Sequence, residues 1–160
     1  MYLIDGNNVI GQRAKGYGSW FRDKVGARQQ FLRELARLAR VRKLKLAVVF
    51  DGAPDAAFPD GASYSGVKVY YARQNSDADT RIVELAEAEK NKKSLQVVTS
   101  DGKLAQRVRV CGVKVMRAGE FRKLLDEAEE SVPAHEAGVH EEDMGQWMRY
   151  FGVDDSDDQE

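Results

Sequence analysis

Three short apolar runs in this chain end in an aspartate. Tyr2-Leu3-Ile4 runs into Asp5-Gly6-Asn7-Asn8, Leu46 to Phe50 into Asp51-Gly52, and Leu95 to Val98 into Thr99-Ser100-Asp101-Gly102. A fourth acid, Asp79, stands in Asn75-Ser76-Asp77-Ala78-Asp79-Thr80, just before an apolar-periodic stretch. Taken singly, each has a structural explanation: Asp-Gly is a common turn, Asp101 can cap a helix starting at Lys103, and Ser76 with Asp79 has capping-box spacing. Taken together, they predict carboxylates gathered at one edge of a sheet. Like charges so close repel, and a fold tolerates them mainly when a cation neutralises them. Carboxylate oxygens without His or Cys select a hard ion, Mg²⁺ or Mn²⁺, and such an ion supports phosphodiester hydrolysis.

The elements that must position these acids follow from periodicity. Val25 to Val41 carries Ala27, Phe31, Leu32, Leu35, Leu38 and Ala39 at helical spacing, which predicts a helix laid against the sheet. Arg33, Arg37 and Arg40, with Arg28, Arg42 and Lys43, form the most basic run and are expected to face water. Ala53 to Gly66, with two of the three prolines, reads as a flexible flap over the sheet's carboxyl edge. A strand is expected at Val67 to Ala72 and a helix from about Asn75 to Lys90. Beyond the third aspartate strand come a helix from Lys103 to about Arg109, a strand at Val113 to Met116 and a helix from Gly119 to Glu130. Regular alternation of strand and helix argues an α/β fold of three layers, a mostly parallel sheet with helices on both faces. Ligands in such sheets bind at the carboxyl ends of the strands.

The totals allow one domain of about 130 residues and a tail. Residues 1 to 130 hold 24 Lys+Arg against 17 Asp+Glu, a charge of +7, and residues 131 to 160 hold 1 against 9, a charge of −8. A basic body suits a polyanion, whereas the acidic tail is expected to bind either that body or a protein partner. Within the tail Met144, Trp147, Met148 and Phe151 have the spacing of a short amphipathic helix. The loop from Gly11 to Arg22 interleaves Arg13, Lys15 and Arg22 with Tyr17, Trp20 and Phe21, the mixture that single-stranded nucleic acid requires. Arg13, Lys15, Arg73, Lys103 and Arg107 are the expected phosphate contacts. One cysteine, Cys111, excludes an intramolecular disulfide and a multi-thiolate zinc site. Apolar runs of about five residues are too short to span a bilayer, so no membrane partner is expected and the expected location is the cytoplasm.

Asp5-Gly6-Asn7-Asn8-Val9-Ile10 resembles the opening motif of NYN domains in the PIN-like nuclease superfamily. Val48-Val49-Phe50-Asp51, Ser76-Asp77-Ala78-Asp79-Thr80-Arg81-Ile82 and Val98-Thr99-Ser100-Asp101 follow in the order seen in the bacterial YacP-like branch. The resemblance covers about residues 1 to 128. It implies a PIN-like, Rossmann-like fold and a metal-dependent endoribonuclease. Asp5, Asp51, Asp79 and Asp101 would be its catalytic, metal-binding carboxylates, Asn8 would fix the loop around Asp5, and Asp77 would support from outside. A ribosome or another complex presenting the RNA is compatible with this reading. A haloacid-dehalogenase-type phosphatase needs an acid two residues after its aspartate, where this chain has Asn7 or Ala53. A receiver domain typically opens with paired acids, which Asp5 lacks. The rival of a different class is an RNA-binding module that keeps the fold without turnover.

Overall fold

A computed structural model describes residues 1–11 and 24–131. The basic-aromatic loop with Arg13, Lys15, Trp20 and Phe21, and the tail with Met144 to Phe151, lie outside the described residues.

Alternate residues of each parallel strand point to opposite faces, and in this chain both sets are apolar. Ile4, Val48, Phe50, Val69 and Val98 belong to one core, and Leu3, Ala47, Val49 and Val97 to the other. The strands are β1 (Tyr2–Asp5), β2 (Leu46–Phe50), β3 (Ala62–Tyr64), β4 (Val67–Tyr71), β5 (Gln96–Val98) and β6 (Lys114–Met116). Among the described residues they form one sheet in the order β3-β4-β2-β1-β5-β6, parallel throughout except for β3, which runs antiparallel to β4. The helices are α1 (Gly6–Gly11), α2 (Lys24–Arg42), α3 (Ala78–Ala88), α4 (Gly102–Val110) and α5 (Ala118–Ser131). Helices α1, α2 and α5 supply the first core, and α3 and α4 the second. The three-layer α/β fold follows. The chain steps outward from β1 to β2 and β4, then crosses to β5 and β6, so β1 lies at the switch point where open α/β sheets open a crevice.

The expected flap is instead anchored structure. Its second half is β3, and Ala57, Phe58 and Tyr64 are buried in the first core. The apolar side chains that outweigh its prolines were the missed signal. Arg28 also departs from expectation: it is 5% exposed, and its guanidinium lies 5.4 Å from the Phe50 ring centre and 5.5 Å from that of Tyr71. It donates to the carbonyls of Asp51 and Ala53 and to the Asp55 carboxylate at 3.1 Å. A cation on the sheet side of α2 thus gives the loop after β2 the partners its backbone carbonyls need.

Helix α3 begins one residue later than a Ser76 cap would place it. Asp77 is the cap, accepting from the Thr80 N–H at 2.8 Å, so Asp79 in the first turn is not part of the expected Ser76 capping box. Asp101 does cap α4, accepting from Lys103 N and Leu104 N. Cys111 is half-buried at the end of α4.

Candidate active site

Each of the four acids reaches the carboxyl edge by a different route. Asp5 is the last residue of β1, Asp51 follows β2, Asp79 lies in the first turn of α3, and Asp101 is the residue before α4. A cavity of about 340 Å³ opens there, lined by Asp5, Asn7, Asn8, Asp51, Asp77, Ala78 and Asp79. Asp101 is not on its wall, yet its charge acts on both Asp5 and Asp79.

Asp5 is the buried member, 6% exposed. Burial pushes its carboxyl up to about 6, and the charges of Asp79 and Asp101 add to the rise; the Thr99 hydroxyl and the Asn8 backbone N–H pull the other way. Burial and then Asp101, Asp77 and Asp51 likewise raise Asp79, against Arg107. The Asp77 carboxyl is held below its ordinary value chiefly by its hydrogen bonds from Thr80. The acids thus form one electrostatic network with Arg107 at its border.

Short polar links hold the network in place. The Thr99 hydroxyl donates to Asp5 Oδ2 at 3.0 Å and accepts from the Asp101 N–H at 3.1 Å, joining two of the acids through one side chain. Asn8 Oδ1 accepts from Ser100 N at 2.7 Å, and Asn7 Oδ1 from Asp51 N at 3.1 Å. Neighbouring amides after β1 therefore clasp the ends of the strands on either side, β5 and β2. Gly6 lets this turn sit close to the sheet: a Cβ there would lie 2.7 Å from the Phe50 ring and 2.9 Å from Val48 Cγ2. Asn8, expected to fix the loop around Asp5, here accepts through its side chain from Ser100 N after β5. Asn7, Thr99 and Arg28 were not singled out from sequence, although Asn7 and Thr99 stand within the quoted motifs.

The expected phosphate contacts divide. Arg107 acts electrostatically on Asp77 and Asp79, and Lys103 is exposed in the first turn of α4 beside Asp101. Arg73 is exposed but pairs with Glu84 of α3 at 2.9 Å.

The donor set suits a hard cation in chemistry and charge, since it is all carboxylate and the charges of its members raise Asp5 and Asp79. Among the described residues, no three His, Cys, Asp or Glu side chains already stand together as a metal cage. Nor is any helix among them long and apolar enough to cross a membrane.

Two solved structures share the fold. Rae1 (YacP) from Bacillus subtilis is 22% identical with a TM-score of 0.69, covering 89% of this chain and 82% of its own. Its W164L mutant is 23% identical with a TM-score of 0.66, covering 81% and 76%. A search of curated proteins finds no match. The YacP-like NYN domain model matches residues 2–149, past the point where the motif resemblance ends, and the chain belongs to that family.

Proposed function

We propose that this protein is a metal-dependent endoribonuclease that hydrolyses RNA phosphodiester bonds in RNA processing or decay, with Asp5, Asp51, Asp79 and Asp101 as its catalytic carboxylates. Family membership supports a nuclease acting on RNA. The observation that carries the reading is the carboxyl-edge cluster, in which buried Asp5 rises to about 6 partly through the charges of Asp79 and Asp101. A fold keeps such repulsion where a bound cation offsets it.

Asp5, Asp51, Asp79 and Asp101 would hold Mg²⁺ or Mn²⁺, which when bound supplies charge neutralisation and activation of water at the phosphoryl group. The chain's own residues do the rest. Thr99 orients Asp5 Oδ2 and the Asp101 backbone at once, while Asn7 and Asn8 fix the strand ends that carry Asp51 and Asp101. Asp77 holds the start of α3, and with it Asp79, in register. Lys103 and Arg107 border the cluster and bind the RNA phosphates, with Arg73, Arg13 and Lys15 as further contacts of the basic body. A ribosome or another complex presenting the RNA belongs to this reading as a source of substrate.

One observation favours the alternative of a binding module without turnover: Asp77 and Asp101 already cap helices, so two acids have structural duties. Incubating a labelled structured RNA with the protein in Mn²⁺, Mg²⁺ or EDTA, beside Asp5→Asn, separates the two. The proposal expects internal cleavage in the metal lanes, lost in EDTA and in the mutant, with RNA affinity of the mutant equal or higher. RNA bound but left uncut by free protein in every lane, and again when presented on ribosomes, would establish the binding module.

A further inference from the structure

A second and larger cavity, about 570 Å³, lies at the opposite edge of the sheet from the acids. Its walls include Leu3, Ala47, Tyr70, Leu85, Ala88 and Leu95. These come from the amino-terminal halves of β1 and β2, from β4 and from the last turns of α3. Helix α3 packs on β1 and β2 and reaches β4 at Tyr70, with the Arg81 guanidinium 5.2 Å from that ring; the cavity opens at the other end of this face, beside the last turns of α3. Lys45 and Lys68, both exposed, stand on its wall with Glu89.

We propose that this groove is the docking site of the chain's own segment Met144–Phe151, which seats the stripe of Met144, Trp147, Met148 and Phe151. Three observations support the choice of occupant. First, helix α5 ends at Ser131 on the same edge: Glu127 and Glu129 in its last turns pair with Arg42 and Arg37 at the end of α2, just before Lys45 and β2. Twelve residues lie between Ser131 and Met144, a reach of up to about 45 Å when extended, enough to pass from the α5 layer around the sheet to its other face at about 10 Å per layer, the spacing of stacked sheets. Second, charge matches. Glu141, Glu142 and Asp143 precede the stripe and Asp154 and Asp155 follow it, complementing Lys45 and Lys68, while Arg149 inside the segment complements Glu89. Third, the family match continues to residue 149, so most of the segment belongs to the matched domain rather than to an appended tail. The basic-aromatic loop is a poorer occupant, because the chain enters and leaves it from Gly11 and Lys24, on the carboxyl edge, whereas α5 ends on the groove's own edge.

The test uses the full chain labelled with 5-fluorotryptophan. Its two tryptophans, Trp20 and Trp147, give two ¹⁹F resonances, and Trp147→Phe assigns one of them. Docking predicts a Trp147 resonance with little solvent-isotope shift, unchanged across a hundredfold dilution. Ala88→Glu, an exposed α3 residue on the groove wall, should move it to the solvent-exposed position while circular dichroism stays native. Ser63→Arg, from the exposed face of β3, gives the same reading by an independent route should Ala88→Glu not fold. A Trp147 resonance already solvent-exposed in the unmodified chain would overturn the proposal, leaving the segment for an outside partner. Shielding lost on dilution would assign the groove to a second copy's tail, and shielding untouched by both substitutions would place the segment elsewhere; either result overturns it.

Discussion

Asp5 concentrates the electrostatic strain of the acidic cluster in one buried side chain. Its carboxyl titrates at about 6 in the folded chain against 3.8 as a free side chain, so the folded state holds its proton longer than the unfolded state does. The stability this contributes is fully present below about pH 4 and is lost as pH rises through about 6, a loss of up to about 3 kcal/mol. In EDTA, the melting temperature of the wild type relative to Asp5→Asn should therefore fall between pH 4 and 7; a flat difference would mean that Asp5 is not strained. Gly6, next along the chain, makes an opposite kind of demand, for space. Gly6→Ala should cost about 1–3 kcal/mol in denaturant titration, because Phe50 and Val48 must give way to the new methyl group. Asp5 and Gly6 were visible in the sequence as a motif. Thr99 was not, because a hydroxyl two residues before an aspartate looks like any strand-end threonine until β1 and β5 lie side by side and bring it to Asp5.

At the level of elements, the sheet and helices were legible because the buried strands are short continuous apolar runs and α2, α3 and α5 keep an apolar period of about 3.6. Strand β3 was not, since three residues with one buried side chain, Tyr64, leave no period to read. Arg28 escaped for a related reason: in a basic helix, the one arginine turned inward looks the same as its neighbours. Its guanidinium ties α2 to the loop after β2 and so sets the height of Asp51 above the sheet. Arg28→Met keeps the bulk under Phe50 and Tyr71 but strands two carbonyls and the Asp55 carboxylate. We expect a loss of about 2–4 kcal/mol in chemical unfolding, and weaker cleavage by the fraction that remains folded, because the Asp51 turn loses its tether. Full activity per folded molecule would show that the turn holds its shape without Arg28.

Across the whole molecule, the proposed function divides RNA binding, given to the basic body, from chemistry, given to the acidic edge. Lys103→Ala and Arg107→Ala should each weaken RNA binding and reduce the slope of log affinity against log salt by about 0.7, whereas Arg73→Ala should do less, because Glu84 already competes for that side chain. Slopes unchanged in all three variants would place the RNA on another face. That the four acids share an edge was legible from strand order alone; their coupling was not, since it depends on α3 crossing over β1 at the switch point. The same topology has a consequence for synthesis. The central strand β1 is made before both its neighbours, which begin at Leu46 and Gln96, and the fourth acid comes at Asp101. Non-local parallel pairing of this kind closes slowly, after its partners exist. Until the chain as far as Asp101 has left the ribosome, the nascent protein holds its acids apart, so an enzyme that cuts RNA would emerge harmless beside the message that encodes it.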